Sequence, residues 1–137
     1  MPDINNPTIF DIKYHFAWHT KFKTPILTGS LRERARELLR QDCKVKGISI
    51  LGGRMGDNYV YMQLSCPAHR SPSEIMRLLK GRSSRLLQEE FPHLKEMNFH
   101  GAVWDSGYFC ASFGDVKKDI IEKYIGRSPR LPDGFQP

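Results

Sequence analysis

The residues able to do chemistry begin with Asp57-Asn58-Tyr59-Val60-Tyr61-Met62-Gln63-Leu64-Ser65, which alternates in character like a strand with two unlike faces. Val60, Met62, Leu64 and Cys66 form an apolar side, while Tyr59, Tyr61, Gln63 and Ser65 point the other way and can meet a polar ligand. Two aromatics at i and i+2 on a sheet can stack on bases, as single-strand binders do. They can also fill space beneath a covering helix, and packing is slightly the stronger reading. Asp57 and Asn58 carry oxygen donors next to this strand, but Gly56-Asp57-Asn58 reads first as a hairpin turn. His15, His19 and His100 could approach a metal, yet nothing in their spacing requires it, and core hydrogen bonding or surface exposure is simpler.

A second group is cationic. Arg77, Lys80, Arg82 and Arg85 crowd one predicted helix, with Ser83 and Ser84 among them as phosphate donors. Lys21, Lys23 and Arg54 could extend the same surface. A charge-rich helix face is by default a solvated one. Tyr124 lies four residues after Ile120 near the end of a last predicted helix, where spacing alone makes it a packing aromatic. Trp18 and Trp104 read as core or subunit contacts.

The elements that must position these groups follow from pattern. Residues 10–20 alternate as a strand. Thr28-Gly29-Ser30 opens a helix with Ser30 and Glu33 at capping-box spacing, and Leu31, Ala35, Leu38 and Leu39 give its apolar stripe. Gly47 is its stop. Strands over 48–55 and 59–66 follow. Ser71-Pro72-Ser73-Glu74 starts a second helix running to about residue 91, with Ile75, Leu78, Leu79, Leu86 and Leu87 inward and Pro92 ending it. A strand pair or bent strand over 102–113 precedes a helix capped by Asp115, with Val116, Ile120 and Ile121 facing inward. The expected fold is α+β, a ferredoxin-like βαββαβ sandwich on one antiparallel sheet with an added C-terminal helix. One domain over 10–127 is flanked by loose segments over 1–9 and 128–137.

Composition sets outer bounds. A chain of 137 residues with 39% hydrophobic content can bury one ordinary core. No apolar run approaches the roughly 20 residues of a membrane helix, so no membrane partner is expected. Cys43, Cys66 and Cys110 form no C-x-x-C pair and read as buried thiols in a reducing cytoplasm. The net charge of +6, from 21 basic and 15 acidic side chains, favours an anionic partner such as nucleic acid.

Several segments together resemble the one-tyrosine HUH transposases of small bacterial insertion sequences, the IS-two-hundred-like group. They are Tyr14-His15-Phe16-Ala17-Trp18-His19-Thr20-Lys21-Phe22, Pro25-Ile26-Leu27-Thr28-Gly29, Leu79-Lys80-Gly81-Arg82-Ser83-Ser84-Arg85, Glu89-Glu90-Phe91-Pro92, Trp104 with Gly107-Tyr108-Phe109, and Ile121-Glu122-Lys123-Tyr124-Ile125. The resemblance implies homodimers that bind single-stranded DNA hairpins and cleave by tyrosine attack, leaving a 5′-phosphotyrosine link. It implies Mg²⁺ or Mn²⁺ held by a His-hydrophobic-His strand and a glutamine one turn after the tyrosine. On this sequence the nucleophile position is Tyr124, and the ligand positions are Tyr59, Tyr61 and Ser128, none with its usual residue. Neutral phenols are poor ligands for a hard cation. The expectation is therefore no cation or a weakly held one, and impaired cleavage. The alternative expectation is a non-catalytic DNA- or RNA-binding regulator using the basic helix and the Tyr59/Tyr61 face.

Overall fold

The computed structural model describes residues 11–97, 101–114 and 118–126. Its elements are β1 (Asp11–His19), α1 (Gly29–Val45), β2 (Ser49–Met55), β3 (Tyr59–Pro67), α2 (Pro72–Glu90), β4 (Phe109–Ser112) and α3 (Lys118–Ile125), with short 3-10 turns at Lys21–Lys23 and Pro92–Met97. The four strands form one sheet in the order β2-β3-β1-β4, every neighbouring pair antiparallel. This is the expected ferredoxin-like sandwich with α3 added.

Register decides which side chains share a face. Trp18 pairs with Val60 and Phe16 with Met62, so these four point together, and α1 and α2 cover them. Their partners by alternation are His15 opposite Gln63, Ala17 opposite Tyr61, and His19 opposite Tyr59. That second face is covered by α3, through Ile121 and Ile125. The two-faced reading of β3 therefore holds.

Both long helices form for the expected reasons, with one exception. The apolar stripe Leu31, Ala35, Leu38 and Leu39 is buried, and Gly47 leaves α1 in the left-handed region at φ 72°. The Ser30–Glu33 capping box is not made: Thr28 takes the cap position in extended conformation, which puts Ser30 inside the first turn. At α2, Ser71 accepts from the Glu74 amide at 3.2 Å as the capping pattern requires. Leu78 and Leu86 are only half-buried, and Met76 joins Ile75, Leu79 and Leu87 in the core. Arg34 grips Glu90 through two hydrogen bonds of 2.7 and 3.0 Å, tying α1 to the end of α2.

The end of the chain departs further from expectation. Of the strand pair or bent strand expected over 102–113, the first part is a single bridge from Trp104 to Thr20, and after a break the second part is β4. The reason is packing: the Trp104 indole is pulled into the core, T-shaped against Trp18 at 5.9 Å. In α3, Ile120 is 45% exposed, so Ile121 and Ile125 carry the inner face in its place. Asp115, Val116, His100, Ser128 and the proposed loose segments 1–9 and 128–137 lie outside the described residues. Among the described residues, no helix is long and apolar enough to cross a membrane.

Candidate functional site

Beneath α3 the sheet carries an unusually polar floor. The Tyr61 hydroxyl lies 2.7 Å from His15 Nδ1 and accepts from Gln63 Nε2 at 3.0 Å, so its own proton goes to the imidazole. Burial raises the Tyr61 pKa and lowers that of His15, which keeps both neutral. Tyr59 is 2% exposed and its ring occupies the space a side chain at Gly56 would need. Arg54 stands over that ring at 5.6 Å, and its Nη1 is 3.8 Å from Oε2 of Glu122. Glu122 is fully buried, and neither of its oxygens accepts a hydrogen bond among the described residues.

Tyr124 sits on the other flank of α3. Its ring contacts His19 at 5.2 Å and Phe109 at 5.6 Å, over β1 and β4, whereas Glu122 faces Arg54 of β2. His19 Nε2 donates to the Ile125 carbonyl at 3.2 Å, holding the last turn of α3 down. Burial, and secondarily the Asp105 carboxylate, raises the Tyr124 pKa. The phenol is thus held back from the phenolate that attacks best.

Would these residues hold a divalent cation? Tyr61 keeps its proton and already has two partners, and an arginine faces the buried carboxylate of Glu122. A hard cation needs anionic or carbonyl oxygens, or imidazoles free to ligate. Among the described residues, no three His, Cys, Asp or Glu side chains come together to bind one. The donor set does not fit the ion. Asp57 and Asn58 serve the turn: their carbonyls accept from Leu27 and Thr20 at 2.9 and 3.0 Å. The burial of Tyr59 and Tyr61 also closes the base-stacking reading of this face, because neither ring is open to a nucleotide.

The cationic residues separate into different environments. An open groove of about 710 Å³ runs between α2 and the segment before β4, lined by Lys21, Arg77, Lys80, Arg85, Lys95 and Ser106 among others. Arg77 and Arg85 are exposed there, and Arg85 has only a surface contact of 3.5 Å to Glu89. Lys80 is half-buried. Its ammonium donates to the Asp105 and Gly107 carbonyls at 2.8 Å each and lies over the Tyr108 ring. Arg82 turns towards α1 and pairs with Asp42 at 2.8 Å.

Ser83 is fully buried, and Ser84 is nearly so at the wall of the groove. Ser83 Oγ donates to the Leu79 carbonyl and accepts from the Trp104 indole at 2.9 Å, while Ser84 Oγ accepts from the Val103 amide at 3.0 Å. They are rivets for the segment that forms the groove wall. Arg54 belongs to the α3 face, where its side chain is largely covered. Lys23 is exposed beside Lys21. Sequence reasoning did not single out Lys95, which lies in no pattern of its own, or Glu122, which it quoted only as part of the Ile121–Ile125 segment.

Comparison with known proteins decides the family. Residues 8–128 match the family described as "Transposase IS200 like". This chain belongs to the IS200-like transposases. The IS200 transposase of Salmonella typhimurium is 31% identical over 133 residues, which are 91% of this chain and 88% of that protein. The ISDra2 transposase TnpA of Deinococcus radiodurans is 24% identical over 117 residues, 85% of this chain and 84% of the relative. Among solved structures, a Deinococcus radiodurans R1 protein described as a candidate transposase superposes with a TM-score of 0.79 at 23% identity, covering 90% of this chain and 95% of that one. A REP-associated tyrosine transposase bound to a REP hairpin gives 0.54 at 11% identity, with 92% and 75% covered. As an IS200-like transposase the chain keeps the family fold, with Tyr59 and Tyr61 of β3 buried beneath α3 and Arg54 standing over the Tyr59 ring.

Proposed function

We propose that this IS200-like transposase acts chiefly as a binder of structured single-stranded DNA, as a homodimer, and that its strand cleavage through Tyr124 is impaired. The observation that carries the reading is the groove beside α2, where Lys21, Arg77, Lys80, Arg85 and Lys95 outnumber the two carboxylates of Glu89 and Asp105. Such a channel suits a phosphate backbone. Impairment rests on the donor set beneath α3. A divalent cation supplies several kcal/mol of transition-state stabilisation to phosphoryl chemistry, on the order of a thousandfold in rate, and nothing among the described residues replaces it.

The test uses labelled DNA hairpins with single-stranded flanks. Affinity should fall with salt at a log–log slope of about −0.7 per phosphate contacted. Arg77→Ala with Arg85→Ala should flatten that slope, and binding should not depend on Mg²⁺ or Mn²⁺. A denaturing gel should show no protein–DNA adduct with the wild-type chain. An adduct that needs a divalent metal and disappears in Tyr124→Phe would overturn the impaired reading. Equal affinity for the matching RNA hairpins would point instead to a regulator that acts on RNA.

A further inference from the structure

Of all Phe, Tyr and Trp side chains described, Phe22 is the most exposed, at 65%. It is also held in an unfavourable backbone conformation. Phe22 has φ 58° and Lys23 φ 55°, two successive non-glycine residues in the left-handed region. For a bulky residue this is a true outlier, and Asn or Gly would relieve it. The strain is fixed from all sides. Thr20 Oγ1 donates to the Thr24 carbonyl at 2.7 Å, and Thr24 Oγ1 donates to the Lys21 carbonyl at 2.9 Å. Asn58 Nδ2 donates to the Lys23 carbonyl at 3.3 Å, and the Lys21 amide donates to Val103 at 2.8 Å.

An exposed phenyl ring on a strained turn is doubly unfavourable to the fold. Folding alone does not explain it, and such outliers collect where a ligand is bound. The neighbours indicate which ligand. Lys21 and Lys23 flank the ring, the Lys21 ammonium lies 5.9 Å from its centroid, and Lys21 also lines the groove beside α2. An aromatic face between two cations, at the edge of a basic channel, is the combination that takes a base by stacking and its phosphates by charge.

We infer that Phe22 is a stacking platform for one unpaired nucleobase of the bound strand. The inference rests on the DNA-binding reading above and adds to it a site that distinguishes unpaired from paired positions. Stacking is indifferent to salt, so the signature of Phe22 differs from that of the arginines.

The experiment measures binding of labelled DNA hairpins with short single-stranded flanks, carrying an abasic site at each unpaired position in turn. Phe22→Asn should weaken binding about 5- to 150-fold without changing the salt slope. Its melting temperature should not fall, because Asn tolerates the left-handed turn. Phe22→Trp should bind at least as well as the wild type. At one abasic position the loss in Phe22→Asn should vanish, since the ring no longer has a base to lose.

Three results would overturn the inference while leaving DNA binding intact. They are wild-type affinity in Phe22→Asn, a loss coupled to no unpaired position, and a changed dimer dissociation constant in sedimentation that accounts for the loss. No binding by the wild type above a charge-matched control protein would overturn both readings together.

Discussion

The two faces of the sheet solve the problem of burial differently. Towards α1 and α2 the strands present Phe16, Trp18, Val60, Met62 and Leu64, which interlock with leucines at helical spacing. Towards α3 the same strands present Ala17, Tyr59 and Tyr61, with His15 and His19 among them and Glu122 pressed down from above. One face is held by many apolar contacts. The other depends on a single eight-residue helix and a few polar contacts, some of them incomplete. A protein opens first where buried apolar contact is sparse, so α3 should lift from the sheet well before the rest unfolds. The face beneath α3 is thus the less secure one.

The sharpest way to break this contrast is to cut into each face in turn. Leu64→Ala, at a fully buried position, should cost about 2–5 kcal/mol of global stability, read from the urea midpoint. Ile121→Ala should cost distinctly less globally, because the loss is capped by the free energy of lifting α3. Equal losses would mean that both faces unfold as one unit. Next in size is Arg54→Met, which leaves Glu122 buried without its cation. Breaking a well-made buried pair costs about 3–5 kcal/mol. Here the separation is 3.8 Å with no hydrogen bond, so about 1–3 kcal/mol is expected, seen first as faster amide exchange across α3. Adding Glu122→Gln should restore most of it.

How much of this could be read in the residues themselves? The apolar alternation of β3 and the helical stripes of α1 and α2 gave the layers and the sheet correctly, because burial imposes a period on every side chain involved. The partition of the basic residues was not legible. Ser83 and Ser84 look like phosphate donors in a run of arginines, yet helical geometry turns them inward onto Trp104 and Val103. Arg54 looks like one more surface cation until the register opposite Tyr61 puts it under α3. Such assignments depend on contacts between residues distant in sequence. Local pattern does not carry that information.

The rivet role of Ser84 gives a smaller and more specific test. Ser84→Ala removes the acceptor of a buried amide, at a cost of about 1–2 kcal/mol. If Ser84 only supports the groove wall, DNA affinity at a temperature where the variant is folded should show an unchanged salt slope. A slope reduced by one phosphate contact would return Ser84 to the binding surface.

The smallest effect concerns pH, and it separates the two faces without altering their packing. His15 is neutral beneath α3, its Nδ1 accepting the Tyr61 proton, and burial lowers its pKa below the ordinary 6.5. Between the unfolded and folded values, the unfolded chain therefore binds the extra proton. Stability from this group is complete above about pH 6.5 and is lost as pH falls through that value towards the lower folded pKa. Protonated His15 can no longer accept from Tyr61, so the penalty should appear at the α3 face. Amide exchange in α3 should speed up between pH 7 and pH 5.5 more than in α1 or α2, whose buried face holds no histidine among the described residues. His15→Gln keeps a hydrogen-bonding group there and should flatten that response. A uniform acceleration in all three helices would show that the acid sensitivity belongs to the whole fold and not to its polar face.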